Sequence, residues 1–377
     1  MKKVFFLSIA LTFTLTGCYP TSKRSVSDAA ASIDDVMSLA DETENFTLSL
    51  TLPESYPPEL PKITTTVKRW DKETVYDALS GGKPIIREEE SPSDAYPDEK
   101  LSVLFLDERN SAIYFEPGRM GYHAPLEGTI NYSIFFSCLD LYYVDPFISY
   151  VSELESFSKE EAVQRVRDEA EKLGIANLGE PTVFGVTAES ANEYHLNEKR
   201  EAEFFGETYD YITWTRDDEA YFITFPFVYE GVQRDTNDVF VPEFYYDCSS
   251  SVKAIVTKNE IIDLECRGIT MPEYTVGEPV KINYSAKDIL SAIVSDYSQI
   301  KLPVEVEFYN CELLYAPVEK NGNEWVLSPV WVFDYCMYGD VYNDYFDTVF
   351  DELPRNATRN AEIYNAETGK RIAYEQQ

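Results

Sequence analysis

The sequence predicts an α+β fold in which antiparallel sheets each pack on a helix. Three observations predict it. Short runs of alternating apolar and polar residues recur along the chain, the period of a half-buried strand, and 28 Tyr and 22 Phe favour strands over helices. Two segments, 157–174 and 285–297, carry helical apolar spacing behind a capping serine. A capped helix followed by strands and turn signals occurs twice, which points to an internal duplication. A chain of 377 residues is too long for one core, so several domains are expected. Their predicted bounds are a signal segment 1–17, a tether 18–45, an N-terminal β-rich α+β domain 46–150, and two related units, 151–270 and 271–377.

The chain begins with Lys2 and Lys3, then an apolar run from Val4 to Leu15. About a dozen residues cannot span a bilayer, which takes roughly 20, but they fit a signal-peptide core behind a basic start. The run ends in Leu15-Thr16-Gly17-Cys18, which resembles the lipobox of bacterial lipoproteins. The resemblance implies that the Cys18 thiol receives a diacylglyceryl group and that the chain is cut just before Cys18. Cys18 is then the lipidated first residue, and acyl chains hold it at about 0.8 kcal/mol per buried CH₂. No later apolar run approaches spanning length, so this lipid is the expected anchor, on the extracytoplasmic face of a bacterial membrane.

The formal charge of −35 argues against nucleic acid, whose phosphates attract Lys and Arg. It argues equally against a body lying flat on an anionic bilayer, and cleavage before Cys18 removes two more lysines. Five cysteines remain after Cys18: Cys138, Cys248, Cys266, Cys311 and Cys336. An odd number cannot pair completely within one chain, and none forms C-x-x-C. Buried free thiols and one or two disulfides both remain open.

In chain order, Ser, Ala and Asp dominate 19–45, read as a tether with helical character around Ile33 to Leu39. Phe46, Leu48, Leu50 and Leu52 alternate with polar residues as a strand, which Pro53 ends. Ile63 to Trp70 is β-rich. Asp71 caps a short helix to Leu79, which Gly81-Gly82 stops. Leu101 to Leu106 and Ala112 to Phe115 read as a hairpin, and Ile130 to Tyr143 as a further strand. Ser158 and Glu161 form an S-x-x-E capping box for the 157–174 helix. Strands follow at Thr182 to Thr187, Ala220 to Tyr229 and Val252 to Leu264, the last a hairpin turning at Lys258-Asn259. Ser285, with Asp288, caps the second helix. Val304 to Tyr315 and Trp325 to Phe333 then flank an Asn321-Gly322 turn, and Ala361 to Tyr364 and Arg371 to Tyr374 close the chain. Phe222 to Val228 aligns with Trp325 to Trp331, Pro226 falling on Pro329, and Ala254-Ile255-Val256 with Ala361-Glu362-Ile363.

FSKEEAVQRVRDEAEKLGI (157–175), ELLYAPVEKNGNEWVLSPVWVFDY (312–335) and IYNAETGKRI (363–372) resemble the PepSY group of extracytoplasmic domains. The plan is also similar to that of uncharacterised surface lipoproteins of Gram-positive anaerobes. The resemblance implies a small antiparallel sheet packed on one helix, twice over, and a non-enzymatic role holding an envelope partner.

Catalytic signals are thin. The chain has 2 histidines, His123 and His195, read as surface residues, with His123 in a turn-like Gly121 to Pro125. No nucleophile motif, zinc motif or phosphate loop accompanies them. Asp340, Asp344, Asp347 and Asp351 read as the solvated face of a helix. Asp235, Asn237 and Asp238 form a polar loop, and Tyr245, Tyr246, Trp325, Trp331, Tyr335 and Tyr338 read as core or as a stacking groove. No catalytic residue, cofactor or metal site is expected. The expected role is non-catalytic binding or regulation of an envelope protein or glycan partner. A ligand- or glycan-binding surface lipoprotein is the alternative, and a carboxylate-based extracellular hydrolase ranks behind both.

Overall fold

The computed structural model describes residues 32–93, 96, 98–108, 110–124, 149–175, 177–204, 206, 213–233, 251–267, 274–321, 324–338 and 357–372. The lipobox and Cys18, the start of the tether, the 130–143 strand, Cys138, Cys248, Tyr245, Tyr246 and the acidic groups at 235–238 and 340–351 lie outside the described residues.

The elements begin with α1 (Ile33–Glu42), β1 (Phe46–Leu48), β2 (Glu59–Thr66), α2 (Lys72–Leu79), β3 (Arg87–Pro92), β4 (Lys100–Phe105), β5 (Ala112–Glu116) and β6 (Arg119–His123). They continue with β7 (Tyr150–Val151), α3 (Lys159–Lys172), β8 (Thr182–Val186), α4 (Ala188–Phe204), β9 (Ala220–Pro226), β10 (Val228–Tyr229), β11 (Val232–Gln233), β12 (Ser251–Thr257) and β13 (Ile261–Arg267). The last are β14 (Tyr274–Lys281), α5 (Ala286–Tyr297), β15 (Glu305–Asn321), β16 (Glu324–Tyr338) and β17 (Ala357–Asn365). The predicted α+β class with antiparallel sheets holds. Nine strands form a large antiparallel sheet in the order β3-β4-β5-β6-β13-β12-β9-β8-β7, and six form a small one, β1-β15-β16-β2-β14 with β17 along β16. Its one parallel pair is β1 with β15.

The sheets do not follow the expected domain order. β1 and β2, from the 46–150 segment, belong to the small sheet with the C-terminal strands, whereas β3 to β6 belong to the large one. The backbone ladder explains it. β17 covers β16 from Val330 onward, and β2 completes the remaining edge at Glu324 to Leu327. Without β2 those backbone groups would lack strand partners. The sheets also share one apolar core, in which Ile63, Tyr315 and Leu327 of the small sheet join the large-sheet residues. Tyr229 meets both Tyr274 and Tyr315 edge-on there.

Local signals act as expected at most helix ends. Asp71 caps α2 through the Thr74 amide at 2.9 Å. At α3 the expected capping box does not close. Ser158 accepts from the Glu161 amide, but the Glu161 carboxylate turns to Arg165 at 2.6 Å. Gly174 stops α3 with φ +73°, a conformation that costs glycine little. The end of the segment expected as tether, from Ser32, is packed structure. Ser32 and Asp35 close a capping box on α1, and Val36 and Ala40, one turn apart, bury against α5 in the core of the small sheet. α4 was not expected. It buries Ser190, Ala191, Tyr194 and His195 and carries charged residues at about half of its other positions.

Each of two helices is followed by strands that neighbour one another in chain order. α3 precedes the neighbouring antiparallel strands β8-β9-β12, with α4 inserted between β8 and β9, and α5 precedes the neighbouring antiparallel strands β15-β16-β17. The register differs: Ala254 faces Ile223, whereas its aligned partner Ala361 faces Asp334 rather than Val326.

Candidate functional site

The strongest concentration of chemistry lies mid-sheet on β5, β6 and β13. Antiparallel register sets Tyr114 opposite Gly121, Glu265 opposite Gly121 on the other side, and Asp263 opposite His123. Alternation therefore brings Tyr114, Arg119, Gly121, His123, Asp263 and Glu265 to one face. Ile113, Met120, Tyr122, Leu264 and Cys266 point to the other face, into the core with α2 and α3. Lys253 of β12 sits in register with Glu265 and extends the polar row. Although the row is polar its carboxylates are buried: Asp263 is 1% exposed and Glu265, like Lys253, 5%, while Arg119 and His123 are half-exposed.

Tyr114 is the hub. Its hydroxyl donates to Glu265 Oε1 at 2.8 Å, and Arg119 Nε donates to the same oxygen at 2.9 Å. The Arg119 guanidinium lies 5.0 Å from the Tyr114 ring centre, and the His123 ring stacks on the phenol at 5.0 Å. His123 Nδ1 hydrogen-bonds to Asp263. Gly121 makes room for the ring, because a Cβ there would lie 2.4 Å from the Tyr114 hydroxyl.

The electrostatics follow from burial and pairing. Burial alone would lower the His123 pKa, but the hydrogen bond and charge of Asp263 outweigh it and raise it above the usual histidine value. Burial, then the Glu265 charge, pushes the Tyr114 phenol well above its ordinary range, so it stays a neutral donor. Arg119 is also raised, the nearby Tyr114 and Glu265 overcoming its desolvation. The array can thus hold a protonated imidazole and a guanidinium against two carboxylates. Its described hydrogen bonds include no Ser, Thr or Cys nucleophile.

The structure corrects the reading of His195 as a surface residue, whereas the His123 side chain is half-exposed at 35%. His195 is 0% exposed on α4, and His123 lies in β6, not in a turn. The turn comes earlier, at Gly118 with φ +76°, so Gly121 is a strand glycine. Trp325 and Trp331 are 0% exposed and Tyr335 6%, so these members of the aromatic set are core, and Trp331 Nε1 donates to the Tyr284 carbonyl at 2.8 Å. Tyr338 donates to Glu307. Cys266 and Cys311 are buried free thiols, held up by desolvation, Cys266 to about 12, and Cys336 is also buried. Among the described residues no group of three or more His, Cys, Asp or Glu could hold a metal ion. Among them, too, no helix is long and apolar enough to cross a membrane.

Sequence reasoning missed Tyr114, Arg119, Asp263 and Glu265. The signal for them is the alternation Asp263, Glu265, Arg267 against Ile262, Leu264, Cys266, but such alternation ordinarily marks a solvent face.

No protein family matches the chain, and no curated protein does. Among solved structures it is similar to an uncharacterized protein from Eubacterium rectale ATCC 33656. The TM-score is 0.61 at 14% identity, over 92% of this chain and 99% of that one. That likeness extends to the fold alone.

Proposed function

We propose that the chain is a lipid-anchored extracytoplasmic protein, held by Cys18, whose body binds or regulates an envelope partner without catalysing a reaction. The observation that carries the non-catalytic reading is that, among the described residues, the carboxylates of this array are paired with its own cations and phenol. Glu265 takes Tyr114 and Arg119, and Asp263 takes His123, so these charges stabilise one another. The finer reading is that α3-β8-β9-β12 and α5-β15-β16-β17 are two PepSY-like units. The common order of strands supports it.

The test is cross-linking and pull-down from intact cells, with wild type beside Cys18→Ser. The expected result is a reproducible envelope partner for wild type, and release or lack of processing for the variant. A Cys18→Ser chain that is cut normally and stays membrane-bound would defeat the anchor. Turnover of a cell-wall substrate, abolished by Asp263→Asn, would defeat the non-catalytic role. A second reading, capture of a small ligand, is favoured by a cavity on the other face of the same sheet.

A further inference from the structure

That cavity, of about 690 Å³, opens between the C-terminal end of α2, one side of α3 and the turn of the β12–β13 hairpin. The volume lies within the roughly 300–1,000 Å³ of small-molecule sites. Tyr122 and Leu264 line it from the sheet, on the face opposite the polar array, and Leu79 and Ile261 add apolar surface. Tyr122 is 8% exposed, and among the described residues its hydroxyl has no hydrogen-bond partner. Burial, then the charges of Glu260, Asp107 and Asp263, pushes this phenol up to about 12, so the surroundings of the hydroxyl are anionic.

The charged lining is unequally engaged. Arg165 is turned to the Thr257 and Lys258 carbonyls at 3.2 and 2.9 Å and to Glu161. Lys172 is held by Glu169 at 2.7 Å. Among the described residues, Glu171 and Glu260 have no such cation, and Lys83 is the lining cation left against them. A chain of formal charge −35 deepens the negative potential in a cleft of this kind.

We propose that this cavity binds a small organic cation, a primary ammonium on a short aliphatic stem, with Glu260 and the Tyr122 hydroxyl receiving the ammonium and Leu79 and Ile261 the stem. An ammonium has three donors and no acceptor, which matches a carboxylate and an unpartnered phenol oxygen. The site depends on neither the Cys18 anchor nor an envelope partner, so its failure would leave that reading standing.

The test is isothermal titration of the full chain with four probes: cadaverine, Nα-acetyl-lysinamide, 1,5-pentanediol and glutarate. The first two separate a free diamine from a lysine side chain. The expected result is saturable binding of at least one amine, with the diol and the diacid about tenfold or more weaker. Glu260 is exposed on a hairpin turn, so Glu260→Gln should leave the unfolding midpoint unchanged and weaken the amine about tenfold. Tyr122→Phe should weaken it by a smaller factor. The proposal is overturned if neither amine binds, if the diol or glutarate binds as well, or if both variants bind the amine like wild type.

Discussion

The two sheets bury carboxylates in different ways. In the small sheet Glu362 is 3% exposed beneath α5 and faces one strong cation. Arg371 folds back after the closing turn and reaches Oε1 at 2.6 Å and Oε2 at 2.5 Å, with the Tyr297 hydroxyl at 3.3 Å. In the large sheet Asp263 and Glu265 sit two residues apart on one strand face. There Arg119 serves one carboxylate and His123 the other. An arginine stays charged at any pH the protein meets, but an imidazole does not. The small sheet therefore holds a fixed pair, and the large sheet holds one fixed and one conditional pair in contact through Tyr114.

The largest effect that tests this contrast is removal of the fixed cation. Arg371→Met leaves Glu362 buried without its partner and should cost about 3–5 kcal/mol in urea unfolding. Burial already raises the Glu362 pKa, Arg371 opposing it. The cost should therefore shrink in acid, where a protonated Glu362 needs no cation. A variant as stable as wild type at neutral pH would show that the pair is not holding the small sheet together.

The next effect is steric and belongs to the array. Gly121→Ala drives a methyl into the Tyr114 ring, with 2.4 Å to the hydroxyl and 2.5 Å to the adjacent ring carbon. Because the ring is stacked between His123 and Arg119, it has little room to retreat, and the loss should be about 1–3 kcal/mol. Tyr114→Ala in the same chain should recover part of it, so a double-mutant cycle should be clearly non-additive. Strict additivity would mean that the ring and the strand glycine are not coupled.

The conditional pair should make stability depend on pH. The folded His123 pKa is raised, so the folded state holds its proton more tightly than the unfolded chain does. The resulting stability is fully present below the unfolded histidine value, about 6.5, and is lost as pH rises through the higher folded value. Unfolding midpoints measured across that window should fall with rising pH in wild type. They should change less in His123→Gln. An equal slope in both chains would assign the dependence to other groups, and the array would then be as fixed as the Glu362 pair.

What was legible in the sequence was local. The hairpins β4–β5 and β12–β13 and the caps of α2 and α5 rest on residues a few positions apart, and each formed where the pattern put it. What was not legible depends on distant partners. Phe46 pairs with Val306 and Thr65 with Trp325, and no local alternation says which strand lies alongside. α4 was hidden because a helix that buries a narrow face among many charges looks like a polar loop. β6 was hidden by Gly121, whose lack of a side chain weakens a strand signal for the very reason the array needs it. The array itself was hidden because polar alternation does not reveal burial, which is decided by the rest of the fold.

The smallest effect compares the starts of α3 and α5. At α5, Ser285 accepts from the Asp288 amide at 3.2 Å, and Asp288 accepts from the Ser285 amide at 2.9 Å and hydroxyl at 2.6 Å. At α3, Ser158 makes its half of the box, but Glu161 bonds Arg165, which also holds the β12–β13 turn. Ser285→Ala removes a side chain that both accepts from an amide and donates to a carboxylate, whereas Ser158→Ala removes one amide partner. The expected losses are about 1–2 kcal/mol at α5 and about 0.5–1 kcal/mol at α3, read from urea midpoints. Glu161→Gln should then matter through Arg165 and the hairpin turn, not through the cap, so adding Ser158→Ala should be additive with it. If Ser158→Ala proved as costly as Ser285→Ala, the two helix starts would be equivalent in spite of their different hydrogen bonds.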